Sequence, residues 1–158
     1  SALERNMIRE ARSGAGSAWP SQVANPAIRW RTLEFSAGPH EGFAHSLDLF
    51  RDGKVVLVPM YGHTPGSVGM FVTVDSGQRI FLVGDVVWNA GALAQAKPKF
   101  WLARSIVDHD ADATLQTVKL IQRAMQRDPK LVVVPAHDGA AQAALGFFPS
   151  WVGGRERI

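Results

Sequence analysis

A chain of 158 residues, 46% of them hydrophobic, has the size and apolar content of one folded unit that buries a core. A formal charge of +3 on 20% charged residues, with Lys and Arg scattered along the chain, gives nucleic-acid binding no support. The absence of cysteine excludes disulfides, thiolate metal sites and cysteine nucleophiles, so any metal must be held by His, Asp or Glu.

The order of elements begins with Leu3, Met7, Ile8 and Ala11 on one face of a short amphipathic helix over residues 3–12. A flexible loop over Ser13–Ser21, rich in Gly and Ser, follows and Pro26 extends it. Period-two alternation over Ile28–Phe35 predicts a first strand, broken at Gly38-Pro39. Strands are then expected at Leu47–Phe50 and Lys54–Val58 around the turn Arg51-Asp52-Gly53, and at Gly69–Val74 and Arg79–Val83 around Asp75-Ser76-Gly77. Ile80–Val83 is apolar at every position and reads as a strand covered on both faces.

Residues 89–99 are rich in small side chains and read as a loop with one helical turn at most. A strong helix follows, capped by Asp110 or Asp112, with Leu115, Val118, Ile121, Gln122 and Met125 along one stripe and Asp128-Pro129 as its stop. Leu131–Val134 predicts a short buried strand ended by Pro135, and Asp138–Leu145 a last helix. The expected organisation is a single domain over 1–158, a helix and loop over 1–27 followed by sheet and helices over 28–158.

Three short words end three predicted strands: Gly62-His63-Thr64-Pro65-Gly66-Ser67, Gly84-Asp85 and Pro135-Ala136-His137-Asp138. Side chains at strand ends are held by the sheet while facing loops, so a His, an Asp and a His placed in this way can converge on one divalent ion. Singly, each has a plainer reading: His63 and His137 as turn or core histidines, Asp85 as a cap. Asp108, Asp110 and Asp112 read as capping and solvated acids rather than a cation site, and the tryptophans and phenylalanines, Trp30, Trp88 and Trp151 among them, as core or interface.

Taken together and in this order, the three words resemble the later motifs of the metallo-β-lactamase superfamily, over about Ile28 to Leu145. The resemblance implies an α+β fold, the C-terminal half of an αββα sandwich with a mainly antiparallel sheet and flanking helices. It implies that His63 binds one metal, that the catalytic Asp85 bridges two, that His137 binds the second, and that Asp138 either orients a neighbouring ligand or, on the plainer view, caps the last helix. Two divalent ions, zinc by preference, are then the cofactors of the complete protein, whether or not this chain alone holds any. The implied chemistry is metal-assisted hydrolysis of an ester, thioester, lactone or related bond in a small-molecule substrate. Trp88 stands where some lactone-cleaving members have a tyrosine, and an indole cannot replace a phenol.

The superfamily's earlier His-x-His-x-Asp-His segment is missing from this sequence, and neither His40, His45 nor His109 fits its spacing. The expectation is therefore an incomplete C-terminal portion of a metallohydrolase, inactive alone, whose partner is a missing N-terminal half. The alternative is a non-catalytic half-fold that forms a homo-oligomer through an exposed apolar sheet face. The opening Ser1-Ala2, with Met7 inside, fits a fragment or processed product. No apolar run nears the roughly 20 residues of a membrane span and no secretion signal opens the chain, so no membrane partner and a cytoplasmic location are expected.

Overall fold

Alternating apolar residues build one five-stranded sheet in the order β1-β2-β3-β4-β5. Its strands are β1 (Leu47–Asp48), β2 (Val55–Pro59), β3 (Val68–Thr73), β4 (Arg79–Gly84) and β5 (Val132–Pro135). The helices among the described residues are α1 (Ala90–Ala94), α2 (Ala111–Arg127) and α3 (Gly139–Ala143), and a hairpin of β6 (Gly146–Phe147) and β7 (Ser150–Trp151) follows. This computed structural model describes residues 25–94, 108–147 and 150–151; the helix expected over 3–12 and the loop over 13–21 lie outside them. The chain divides into two compact units, 1–34 and 35–158, and the sheet belongs to the second. In the first, Asn25 closes a turn by accepting the Ala27 N–H on Oδ1 at 2.9 Å.

Neighbours β1 to β4 pair antiparallel and β4–β5 parallel. The parallel step needs a crossover, which residues 85–131 with α1 and α2 provide. The α+β architecture with a mainly antiparallel sheet is as expected. The strand over 28–35 is not: these residues join no ladder. Alternation is a property of side chains, whereas a strand exists only where a neighbouring backbone takes its N–H and C=O groups. Among the described residues before β1 only the bridges Ala37–Ser46 and His40–Phe43 form. β1 itself stops at Asp48, whose carboxylate accepts the N–H groups of Arg51 and Gly53 and turns the chain, leaving Leu49 and Phe50 exposed.

One row across the sheet, Val56–Phe71–Phe81–Val133, carries the core. Phe71 and Phe81 stack with centroids 3.7 Å apart, and Phe43 meets both edge-on. Val118, Ile121 and Ala124 of α2 and Leu93 of α1 close over this face. The opposite face, with rows Leu47–Leu57–Met70–Leu82–Val134 and Val55–Val72–Ile80–Val132, is apolar and for the most part half-buried. β4 is thus fully buried at Phe81 and Val83 alone, and among the described residues the helices pack on that side of it.

Asp110 caps α2 by accepting the N–H groups of Asp112 and Ala113. The buried stripe is Thr114, Thr117, Val118, Ile121 and Ala124. Leu115, Gln122 and Met125 flank it, so the helix is rotated towards its threonines relative to the hydrophobic reading. α1 is the helical turn allowed within 89–99; it places Leu93 in the core and hydrogen-bonds its carbonyl to Gln122 Nε2 at 2.9 Å.

His40 lies edge-on to Phe71 at 4.9 Å with its Nε2 buried and unpaired. Burial lowers its pKa below the ordinary 6.5, with Arg79 adding to the effect and Glu41 and Asp48 opposing it. A depressed folded-state pKa means the unfolded chain takes up the proton first, so His40 withdraws stability as pH falls below about 6.5 and withdraws none above it. Urea unfolding from pH 8 to 5 should show a falling midpoint that His40→Gln flattens; parallel profiles for the two proteins would exclude this contribution.

Candidate functional site

Three strands that run in one direction deliver the three motif residues to one end of the sheet. β2 and β4 are each antiparallel to β3, and β5 is parallel to β4, so the C-terminal ends of β2, β4 and β5 coincide. His63 follows β2, Asp85 follows β4 and His137 follows β5. The parallel ladder continues past the strands through Ala136 N–H to Gly84 C=O at 2.9 Å, which sets Asp85 beside His137.

His63 is held by its neighbours rather than by a strand. Gly62 lies against the first turn of α2, where a Cβ would come within 2.2 Å of Thr114 N, and its φ of +134° is one that L side chains rarely adopt. Thr117 Oγ1 donates to the Tyr61 carbonyl at 2.9 Å, Asp110 N–H to the Gly62 carbonyl at 2.8 Å and His109 N–H to the His63 carbonyl at 3.1 Å. The threonines on the buried stripe of α2 thus grip the loop that carries the histidine. Sequence periodicity passed over them because they are polar.

At the centre, His137 Nε2 lies 3.1 Å from Asp85 Oδ1 and His63 Nε2 lies 3.8 Å from Asp85 Oδ2. Asp85 Oδ1 is buried and makes no well-aligned hydrogen bond despite that short contact. The other nitrogen of His63, Nδ1, is 3.0 Å from Oδ1 of Asp108, whose side chain has no exposed surface. Asp108 is therefore a buried partner of His63 rather than a solvated acid, which corrects its reading from the sequence; the N-cap of α2 is Asp110. Two residues ahead of a helix cap, it carried no motif that could have singled it out.

Asp138 caps α3 through Oδ1, accepting Ala141 N–H at 3.0 Å, and through Oδ2 accepts Ala90 N–H at 2.8 Å. These N–H groups, Ala141 first, hold its carboxyl below the ordinary carboxylate range. The plainer reading of Asp138 is the one seen, with the addition that it ties the segment after Asp85 to the His137 turn. Trp88 and Trp30 are exposed and do not belong to the core; Tyr61, two residues before His63, is exposed as well.

No known protein-family profile matches the chain. It is 33% identical over 113 residues to proteins named probable metallo-hydrolase in Mycobacterium tuberculosis and Mycobacterium bovis, an alignment that spans 63% of this chain and 34% of each relative. A solved N-acyl homoserine lactone hydrolase, with N-hexanoyl-L-homoserine bound at its catalytic metal centre, superposes with a TM-score of 0.63 at 14% identity over 92% of this chain and 50% of its own. A quorum-quenching N-acyl homoserine lactone lactonase does so with the same TM-score and identity over 52% of its length. The fold is that of the metallo-β-lactamase superfamily. The chain spans about one third of the curated relatives it matches and about half of these lactonases.

The donors present suit the divalent ions implied by the metallo-β-lactamase fold. Imidazole nitrogen and carboxylate oxygen are what zinc accepts without thiolate. The 3.1 and 3.8 Å separations bracket the spacing of about 3.3 Å between ligand atoms on a tetrahedral zinc with bonds of about 2.0–2.1 Å. Among the described residues no three His, Asp or Glu side chains close into one complete ligand cluster. The two histidines approach different oxygens of one carboxylate.

Gly62→Ala should cost several kcal/mol, because the residue must change φ and displace the backbone of α2. Chemical denaturation would read this directly, and a loss below about 1 kcal/mol would show that the loop moves away from the helix freely.

Proposed function

We propose that this chain supplies His63, Asp85 and His137 to a metal-dependent hydrolase site. In the complete protein His63, Asp85 and His137 would hold divalent ions, zinc by preference, with Asp85 as the ligand between the two histidines. The observation that carries this reading is that each histidine faces a different oxygen of Asp85 at the common C-terminal end of β2, β4 and β5. The names of the mycobacterial relatives and the fold of the lactonases support it.

When bound, such ions make water a nucleophile at neutral pH and stabilise negative charge that develops on the substrate. The chain's own residues hold and orient. Asp85 keeps the two histidines at a fixed separation, the grip of α2 on Tyr61 and Gly62 sets the His63 ring, and Asp138 ties α1 to the turn that carries His137. The substrate class is a small molecule with an ester, thioester, lactone or related bond; a lactone gains support from the structural neighbours, while Trp88 in place of tyrosine weighs towards an open-chain ester. The remaining ligands have no counterpart of His-x-His-x-Asp-His in this sequence, so the chain alone is proposed to be inactive.

In the full-length protein, Asp85→Ala should lower hydrolysis by more than about 100-fold and remove most of the metal, since changes outside the ligand shell alone cost about 10–100-fold. Activity on a panel of esters and lactones, with metal content measured on the same samples, tests this; wild-type rate and metal content in the variant would remove Asp85 from the site.

The half-buried apolar sheet face favours a second reading, a non-catalytic half-fold that pairs with a copy of itself. Sedimentation of this chain would then give a dimer, and Met70→Glu with Leu82→Glu would return it to a monomer. A monomer before substitution removes this reading.

A further inference from the structure

Asp108 is a carboxylate with no exposed side-chain surface beside a histidine that the proposed site uses. Burying a carboxylate is costly unless a donor satisfies it, so a position of this kind is kept for a particular hydrogen bond. A carboxylate can only accept, which places the proton of the 3.0 Å contact on His63 Nδ1. The free histidine side chain favours the opposite neutral form, with its proton on Nε2. In that form the Nε2 facing Asp85 would present a hydrogen where a metal ligand needs a lone pair.

We propose that Asp108 is a positioning residue that fixes His63 as its Nδ1–H tautomer and turns the Nε2 lone pair towards Asp85, so that one half of the site is set before any cation arrives. This rests on the reading of His63 as a ligand. Backbone contacts make the arrangement rigid: His109 and Asp110, next to Asp108, donate to the carbonyls of His63 and Gly62 at 3.1 and 2.8 Å. The histidine is therefore held at its ring and at its main chain by the same three residues, 108–110, that lead into α2. The two halves of the site differ in this respect, since the His63 side chain is 19% exposed and that of His137 69%. His137, whose Nε2 lies 3.1 Å from Asp85 Oδ1, has no matching carboxylate at its other ring nitrogen among the described residues, so this preset belongs to the His63 half alone.

The test is the ring-nitrogen spectrum of the metal-free chain labelled with ¹⁵N-histidine, at a pH where the rings are neutral. His63 should show a protonated Nδ1 and an unprotonated Nε2, whereas His137 and His45 show the ordinary mixture weighted to protonated Nε2. A His63 with its proton on Nε2 overturns the proposal, and this reading needs no variant to fold and no metal to bind. In Asp108→Leu, which removes the acceptor at similar size, His63 should revert to the ordinary mixture, and Asp108→Asn, which keeps an accepting oxygen, should restore the wild-type signal in part. Zinc titration of the full-length protein should show affinity about 10–100-fold weaker for Asp108→Leu. Unchanged affinity there, with weakened affinity in His63→Ala, overturns the role of Asp108 alone. Unchanged affinity in His63→Ala overturns the assignment of His63 as a ligand, and the proposal with it.

Discussion

The contact on which the site depends is the approach of Gly62 to the first turn of α2. A loop that rises from the end of a strand has many ways to present its side chains, and here that freedom is removed by the absence of a side chain. With no Cβ at Gly62, the backbone lies against Thr114, and Thr117, Asp110 and His109 each satisfy or use a main-chain group of residues 61–63. These bonds do two things at once. They give partners to backbone groups that the end of β2 would leave unpaired, and they fix the direction from which His63 enters the site.

Strand direction supplies the rest of the geometry. In a wholly antiparallel meander, successive strand ends would alternate between the two edges of the sheet, and Asp85 and His137 would face opposite ways. The crossover through α1 and α2 makes β5 parallel to β4, so both residues emerge at one edge, a ladder step apart. The same crossover carries Asp108 to His63. The helix that closes the core is thus also the element that assembles the site, and the aromatic stack of Phe71 and Phe81 beneath it anchors both.

The polar residues buried in this unit are few and concentrated: Asp108, Thr114 and Thr117 line the approach of α2 to the His63 loop, and Ser46 bonds Gly38 in the hairpin before β1. Elsewhere among the described residues the fully buried side chains are apolar. A core that concentrates its hydrogen-bonding groups beside a candidate site, each with a geometric task there, has placed its costly desolvation where orientation matters most. His40 is the exception: its buried nitrogen at the far side of Phe71 serves neither purpose and leaves a pH-dependent term in stability.

The sequence by itself determined what local chemistry can determine. Alternation and turn residues placed β2, β3 and β4, the stripe and Asp110 placed α2, and the words around His63, Asp85 and His137 named the candidate ligands. It could not show whether a partner strand exists, which is why residues 28–35 alternate and yet join no ladder, nor how far β1 runs before Asp48 turns it. It also could not weigh polar residues on a helix, since a stripe drawn from hydrophobic residues leaves out Thr114 and Thr117, which are buried against the loop that carries His63. Asp108 is the sharpest case. An aspartate ahead of a helix cap is an ordinary surface residue by pattern, and only a contact across 45 positions of chain turns it into the partner of His63. Patterns along a chain report period and propensity, while pairing, direction and long-range hydrogen bonds arise only once distant segments meet.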